Sequence, residues 1–107
     1  MEHINRIEIQ GEVGNIRTQT IFDQQVANMS VMTQEIYTNK EGIAIAETTW
    51  HQVVVWQDKS SVDLSKVEKG SKVRVVGRLR QMKYTDTNGM EKVYYEVLAS
   101  EFRIIED

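Results

Sequence analysis

Apolar residues in this chain recur at every second position, segment after segment, and that period belongs to half-buried β-strands rather than to helices. Ile7, Ile9 and Val13 alternate with Arg6, Glu8 and Glu12, with Gly11 marking a bend. Residues 26–33 put Ala27, Met29 and Val31 on one face. Residues 47–57 are rich in Thr, Val and Trp. Residues 72–80 alternate Val73, Val75, Gly77 and Leu79 with Lys72, Arg74, Val76, Arg78 and Arg80. Residues 93–99 return after Asn88-Gly89, a strong hairpin signal, and Phe102, Ile104 and Ile105 close the chain. Residues 39–42 read as a loop. Only residues 60–67 read as helix. Ser60 and Asp63 resemble a capping box, Lys66 and Lys69 suit the last turn, and Gly70 can take a left-handed stop.

A chain of 107 residues is one domain, and one so rich in strands needs a closed barrel or sandwich to protect its edges. Three strands, a short helix, then two or three strands is the order of an OB-fold. The expected architecture is therefore all-β: a five-stranded OB-fold Greek-key barrel, with one short helix between strands 3 and 4 and a hairpin protruding near 81–93. Residues 1–107 form a single such domain in this reading.

Several classes of function drop out. With no cysteine, disulfides and thiolate metal sites are excluded. No apolar run is long enough to span a bilayer, and Met1-Glu2-His3-Ile4 lacks the features of a signal peptide, so a cytoplasmic location is expected. His3 and His51 are far apart, no nucleophile, phosphate-loop or dinucleotide motif is present, and no acid pair is marked by spacing. The expectation is a non-enzyme without metal or cofactor.

Binding is better marked. In residues 48–56 the alternation of strand side chains sends Thr48, Trp50, Gln52, Val54 and Trp56 one way and Thr49, His51, Val53 and Val55 the other. Two tryptophans on one strand suit a core, but a core face should be uniformly apolar, and this one carries Thr and Gln. The net charge of −3 argues mildly against a nucleic-acid partner, yet its distribution is uneven. Lys66, Lys69, Lys72, Arg74, Arg78, Arg80 and Lys83 stand against Glu68 alone in residues 66–83. A lysine- and arginine-protected strand edge explains that run as well as a ligand does. Beside a face with two tryptophans, however, cations that track phosphates and aromatics that stack on bases are what a single-strand binder needs. Tyr37 and Tyr84 would extend the stacking platform. Tyr94 and Tyr95 alternate faces, so one of them is expected in the core and neither is counted in the site.

These residues resemble the bacterial single-stranded-DNA-binding protein family, whose members are tetrameric OB-folds. The likeness is carried by Ile4-Asn5-Arg6-Ile7 before Gly11, by Val26-Ala27-Asn28, and by Thr48-Thr49-Trp50-His51-Gln52-Val53-Val54-Val55-Trp56. It continues through Val67-Glu68-Lys69-Gly70-Ser71-Lys72-Val73, Val76-Gly77-Arg78-Leu79-Arg80, and Lys83-Tyr84-Thr85-Asp86 before Asn88-Gly89. The resemblance implies base stacking at Trp50, Trp56, Tyr37 and Tyr84, and phosphate contacts at Lys72, Arg74, Arg80 and Lys83, to which the alternation adds Arg78. It places His51 near a subunit interface, with a hydrogen-bonded interior histidine as the equal alternative. It implies sequence-independent binding and protection of single-stranded DNA in replication, recombination and repair, a homotetramer (or a dimer), and a nucleoid-associated, bacterial or mobile-element origin. Two departures stand out. Gln52 sits where the family often has a cation, and Glu106-Asp107 is too short for the acidic tip that recruits replication and repair proteins. The alternative expectation is a tail-less adaptor resembling the primosomal protein PriB, whose main work is contacting replication-restart proteins. An OB-fold binding RNA or oligosaccharide is a third.

Overall fold

A computed structural model describes residues 1–106. Five strands form it: β1 (Ile7–Ile21), β2 (Gln24–Thr38), β3 (Ala44–Trp56), β4 (Lys72–Thr85) and β5 (Glu91–Ile104). They close into a barrel in the order β1-β2-β3-β5-β4. Strand β1 serves two neighbours. Its first half pairs with β4, from Ile7↔Gly77 to Glu12↔Lys72, and from Glu12 onward it pairs with β2. The transfer falls at Gly11 and Glu12, where the sequence marks a bend. The expected all-β OB-type barrel is the fold observed.

The alternating residues fill the barrel as their period requires. Ile9, Val13, Ala27, Met29, Val31, Val53, Val55, Val73 and Val75 are buried in one cluster with Val97, Ala99 and Phe102. Closure between β3 and β5 is brief, with only Val53↔Val97 and Val54↔Leu98 paired, in parallel. Beyond that contact two hairpins run free of the barrel. The β2–β3 ladder continues to Thr38↔Ala44 and the β4–β5 ladder to Thr85↔Glu91. These arms give the chain a radius of gyration of 16.2 Å, against about 13 Å for a compact domain of 100 residues.

Both tips are built alike. Asn39 Oδ1 accepts from the N–H groups of Glu41 and Ile43, and Asp86 Oδ1 accepts from those of Asn88 and Met90. Gly42 and Gly89 follow three residues after these anchors at φ +78° and +80°, the left-handed region where a side chain would be strained. The strands extend past the expected limits because their outer ends are held by ladder hydrogen bonds and tip chemistry, not by apolar alternation.

One expected element is replaced. Residues 60–67 do not form an α-helix; two 3-10 turns, η1 (Gln57–Lys59) and η2 (Leu64–Lys66), take its place. Side chains here outcompete helical backbone bonds. Gln57 accepts from the Leu64 N–H and donates to the Val62 carbonyl, each at 2.9 Å. Ser60 Oγ donates to the same carbonyl at 2.6 Å. Ser60 itself forms a parallel bridge with Phe102, and Asp63, not Ser60, caps the second turn by accepting from the Ser65 N–H. Short polar residues favour such local bonds, and so brief a segment gains little from helical propagation. Leu64 and Val67 are nonetheless buried in the barrel cluster.

Candidate nucleic-acid interface

Trp50 lies on the outer face of β3, opposite Met32, with 56% of its surface exposed. Its indole reaches across β2 to β1. A methyl group placed on Gly14 would overlap the ring edge of Trp50 and would lie 3.0 Å from Ser30 Oγ, so glycine leaves the seat for the ring. Ser30 Oγ also accepts from the Asn15 N–H at 2.9 Å, which fixes the bulge in β1 between Val13 and Ile16. Trp56, six residues further along the same face and half-buried, stands opposite Val26. At about 3.3–3.4 Å per residue the two tryptophans begin from backbone positions ~20 Å apart. Gln52 and Val54 lie between them.

The other expected aromatics do not join this face. The unbroken β2–β3 register pairs Tyr37 with Ile45, on the pleat that carries Val31 and His51 and opposite to that of Trp50. Tyr84 stands on the outer side of the β4–β5 arm, where its ring packs against Tyr94 at a centroid distance of 5.8 Å. Neither Tyr94 nor Tyr95 is core, with 43% and 56% of their surfaces exposed. The expectation that one would be buried fails because their stretch of β5 lies on the free arm, where no opposing strand covers it. Tyr94 thus belongs with Tyr84, a pairing that the alternation of 93–99 alone could not show without the register.

The basic face requires a larger correction. Lys72, Arg74, Arg78 and Arg80 do share the outer pleat of β4, but β4 is not beside β3; β5 separates them on one side and β1 and β2 on the other. Several of the expected phosphate contacts are engaged within the chain. Arg74 pairs with Glu8 at 3.2 Å, Arg80 with Glu96 at 2.7 Å and Lys83 with Glu91 at 3.7 Å. Lys72 stands at the start of β4 opposite Glu12. Arg78 is exposed and has no protein partner among the described residues. A cavity of about 460 Å³ is likewise on this wall, between Lys59, Arg74 and Arg103 with Glu101, away from the tryptophans.

Arg80 and Glu96 are the tightest of these pairs, bonded through both Nε and Nη2, with the Glu96 side chain only 10% exposed. Removing one partner strands the other's charge. Arg80→Ala is therefore expected to destabilise the fold by about 2 kcal/mol while leaving the salt dependence of ligand binding nearly unchanged. Urea unfolding beside a salt titration separates the two effects.

His51 lies on the barrel-side pleat and its Nε2 is 2.8 Å from Thr33 Oγ1. Partial burial pulls its pKa below the ordinary imidazole value by penalising the charged form. The unfolded chain then binds a proton more readily than the folded one. Stability should be full above about pH 6.5 and should fall as the pH drops below it. In His51→Gln the acid-side loss in a pH series of urea midpoints should be smaller.

Comparison with known proteins places this geometry. The family model described as the single-strand binding protein family matches residues 4–105. The single-stranded DNA-binding protein of Xanthomonas campestris pv. campestris is 30% identical over 105 residues, covering 95% of this chain and 60% of that protein. That of Neisseria meningitidis is 27% identical over 82 residues, 77% of this chain and 47% of that protein. The chain thus spans about half to three-fifths of the length of these curated relatives. Among solved structures, the Plasmodium falciparum SSB in complex with ssDNA superposes with a TM-score of 0.84 at 26% identity, covering 99% of this chain and 98% of that one. A deletion mutant of the Thermus aquaticus single-stranded DNA binding protein shares the fold, with a TM-score of 0.81 at 17% identity. With the family model spanning nearly every residue and the barrel matching throughout, the chain belongs to the single-strand binding protein family.

Proposed function

We propose that this chain binds single-stranded DNA along the outer face of β1, β2 and β3, by stacking bases on Trp50 and Trp56. The observation that carries this reading is the exposed indole of Trp50, seated over Gly14 on a face that mixes Ser30, Asn28 and Gln52 with Met32 and Val54. An aromatic surface held open in this way gains its contact area from a ligand, and any base can supply it. Tyr84 and Tyr94 offer a second stacking surface on the β4–β5 arm. Because Arg74, Arg80 and Lys83 are already ion-paired, stacking carries more of the affinity here and phosphate attraction less. Arg78 is the main phosphate contact proposed on β4, with Lys72 a further one at the start of the strand. The biological role proposed is protection of single strands during replication, recombination and repair, by a chain that assembles with copies of itself, as a tetramer or a dimer, with His51 near the contact.

Competition tests the ligand class. Unlabelled oligo-dT should displace labelled oligo-dT from the full chain, whereas a duplex, whose bases are already stacked, should not. Matched oligo-rU should compete no better than oligo-dT, since no reader of the 2′-hydroxyl is invoked. Preference for duplex or RNA would refute the proposal. A PriB-like adaptor, by contrast, would keep its DNA affinity when both tryptophans are replaced.

A further inference from the structure

The tryptophan face holds an open cavity, lined by polar side chains together with Ile16 and Met29, that stacking alone does not explain. It measures about 250 Å³ and lies between β1, β2 and β3, lined by Asn15, Arg17, Asn28, Ser30 and Gln52 among others. Ser30 is shared with the seat of Trp50, so the cavity adjoins the indole. The β-bulge that leaves Gly14 under the ring also delivers Asn15 to the cavity. Arg17 stands opposite Asn28, which stands opposite Val54, so all three share the outer pleat with Gln52.

The chemistry of the lining is specific. Several amide side chains elsewhere are used by the fold: Asn5 bonds Leu79, Gln24 bonds Asp58, Asn39 shapes its turn and Gln57 holds the segment before η2. Those of Asn15, Asn28 and Gln52 have no protein partner among the described residues, and neither does the Arg17 guanidinium. Three free amides, each both donor and acceptor, converge beside an exposed indole, with a free cation at the margin. A base stacked on Trp50 lies parallel to the ring with its edges uncovered, so its hydrogen-bonding edge, free in an unpaired strand, can face such groups.

We infer that Asn15, Asn28 and Gln52 form a nucleotide subsite that hydrogen-bonds the edge of the base stacked on Trp50, while Arg17 takes its phosphate. This rests on the single-strand reading and sharpens it: at one position along the bound strand the protein distinguishes bases by hydrogen bonding, not by stacking strength alone.

The probe is oligo-dT set against an oligomer of the same length carrying difluorotoluene, a thymine-shaped base without hydrogen-bonding groups. The full chain should bind oligo-dT about fivefold more tightly than the isostere oligomer. Gln52→Met, which keeps length and removes the amide, should shrink that ratio by lowering oligo-dT affinity alone. Arg17→Gln should weaken both oligomers equally and reduce the slope of log affinity against log salt by about 0.7. Equal binding of the two oligomers by the unaltered chain, or an equal loss of both in Gln52→Met, overturns the base-reading subsite. An unchanged salt slope in Arg17→Gln overturns the phosphate contact. Tryptophan quenching keeps the two levels apart. Quenching by both oligomers without preference refutes the subsite only, and quenching by neither refutes single-strand binding itself.

Discussion

Replacing Trp50 with alanine is expected to weaken binding of oligo-dT by about 1–3 kcal/mol, roughly 5- to 150-fold, with little change in thermal stability. The indole is more exposed than covered, so the fold loses little when it goes. Gly14→Val should reproduce much of the effect from a distance. The new side chain would occupy the position of the indole edge and displace the ring, although it would itself touch no ligand. Fluorescence anisotropy of labelled oligo-dT measures both variants, and circular dichroism shows that the barrel survives. The contrast with Arg80→Ala is the useful one. A residue chosen as a phosphate contact should act on stability, because Glu96 holds it, while an aromatic that suits a core should act on binding.

Leu64→Ala is expected to have the largest effect on the fold, about 3 kcal/mol of lost stability, or a fall in thermal midpoint on the order of 15 °C. Leu64 is wholly buried, yet it comes from a two-turn segment whose backbone is held by Gln57, Ser60 and Asp63 rather than by a helix. Those polar bonds fix where the side chain enters the barrel cluster, so the surroundings have little freedom to close the void. Ser65→Ala, on the exposed side of the same turn, is the matched control and should cost far less. Both belong at one protein concentration, since assembly would add to apparent stability.

The same segment shows where sequence reasoning reaches and stops. The barrel is legible because strands buried on one side must alternate, and Val13, Val31, Val55 and Val75 do. Residues 60–67 are not, because the short polar residues Ser60 and Asp63 that resemble a capping box serve tight turns equally well, and the decision lies with Gln57, upstream of that stretch. The tryptophan face is legible for a similar reason: period two puts Trp50 and Trp56 together whatever the partner strands are. What period two cannot give is the partner. It places the cations of β4 on one face correctly, but not which side of the barrel that face occupies, nor that Glu8 pairs diagonally with Arg74 and that Glu96 comes opposite Arg80. Arg17 is hidden from such reading for the converse reason. It is a single basic residue in a polar stretch, and it matters only once the bulge and the β1–β2 register set it beside Asn28.

Intrinsic tryptophan fluorescence, titrated with oligo-dT at low and high salt, tests the central claim most directly, because Trp50 and Trp56 are the only two tryptophans in the chain. Saturable quenching is expected at both ionic strengths, with affinity falling as salt rises but not abolished, since stacking outlasts screened phosphate contacts. Absence of quenching, or quenching wholly indifferent to salt, would contradict the assignment of this face to single-stranded DNA.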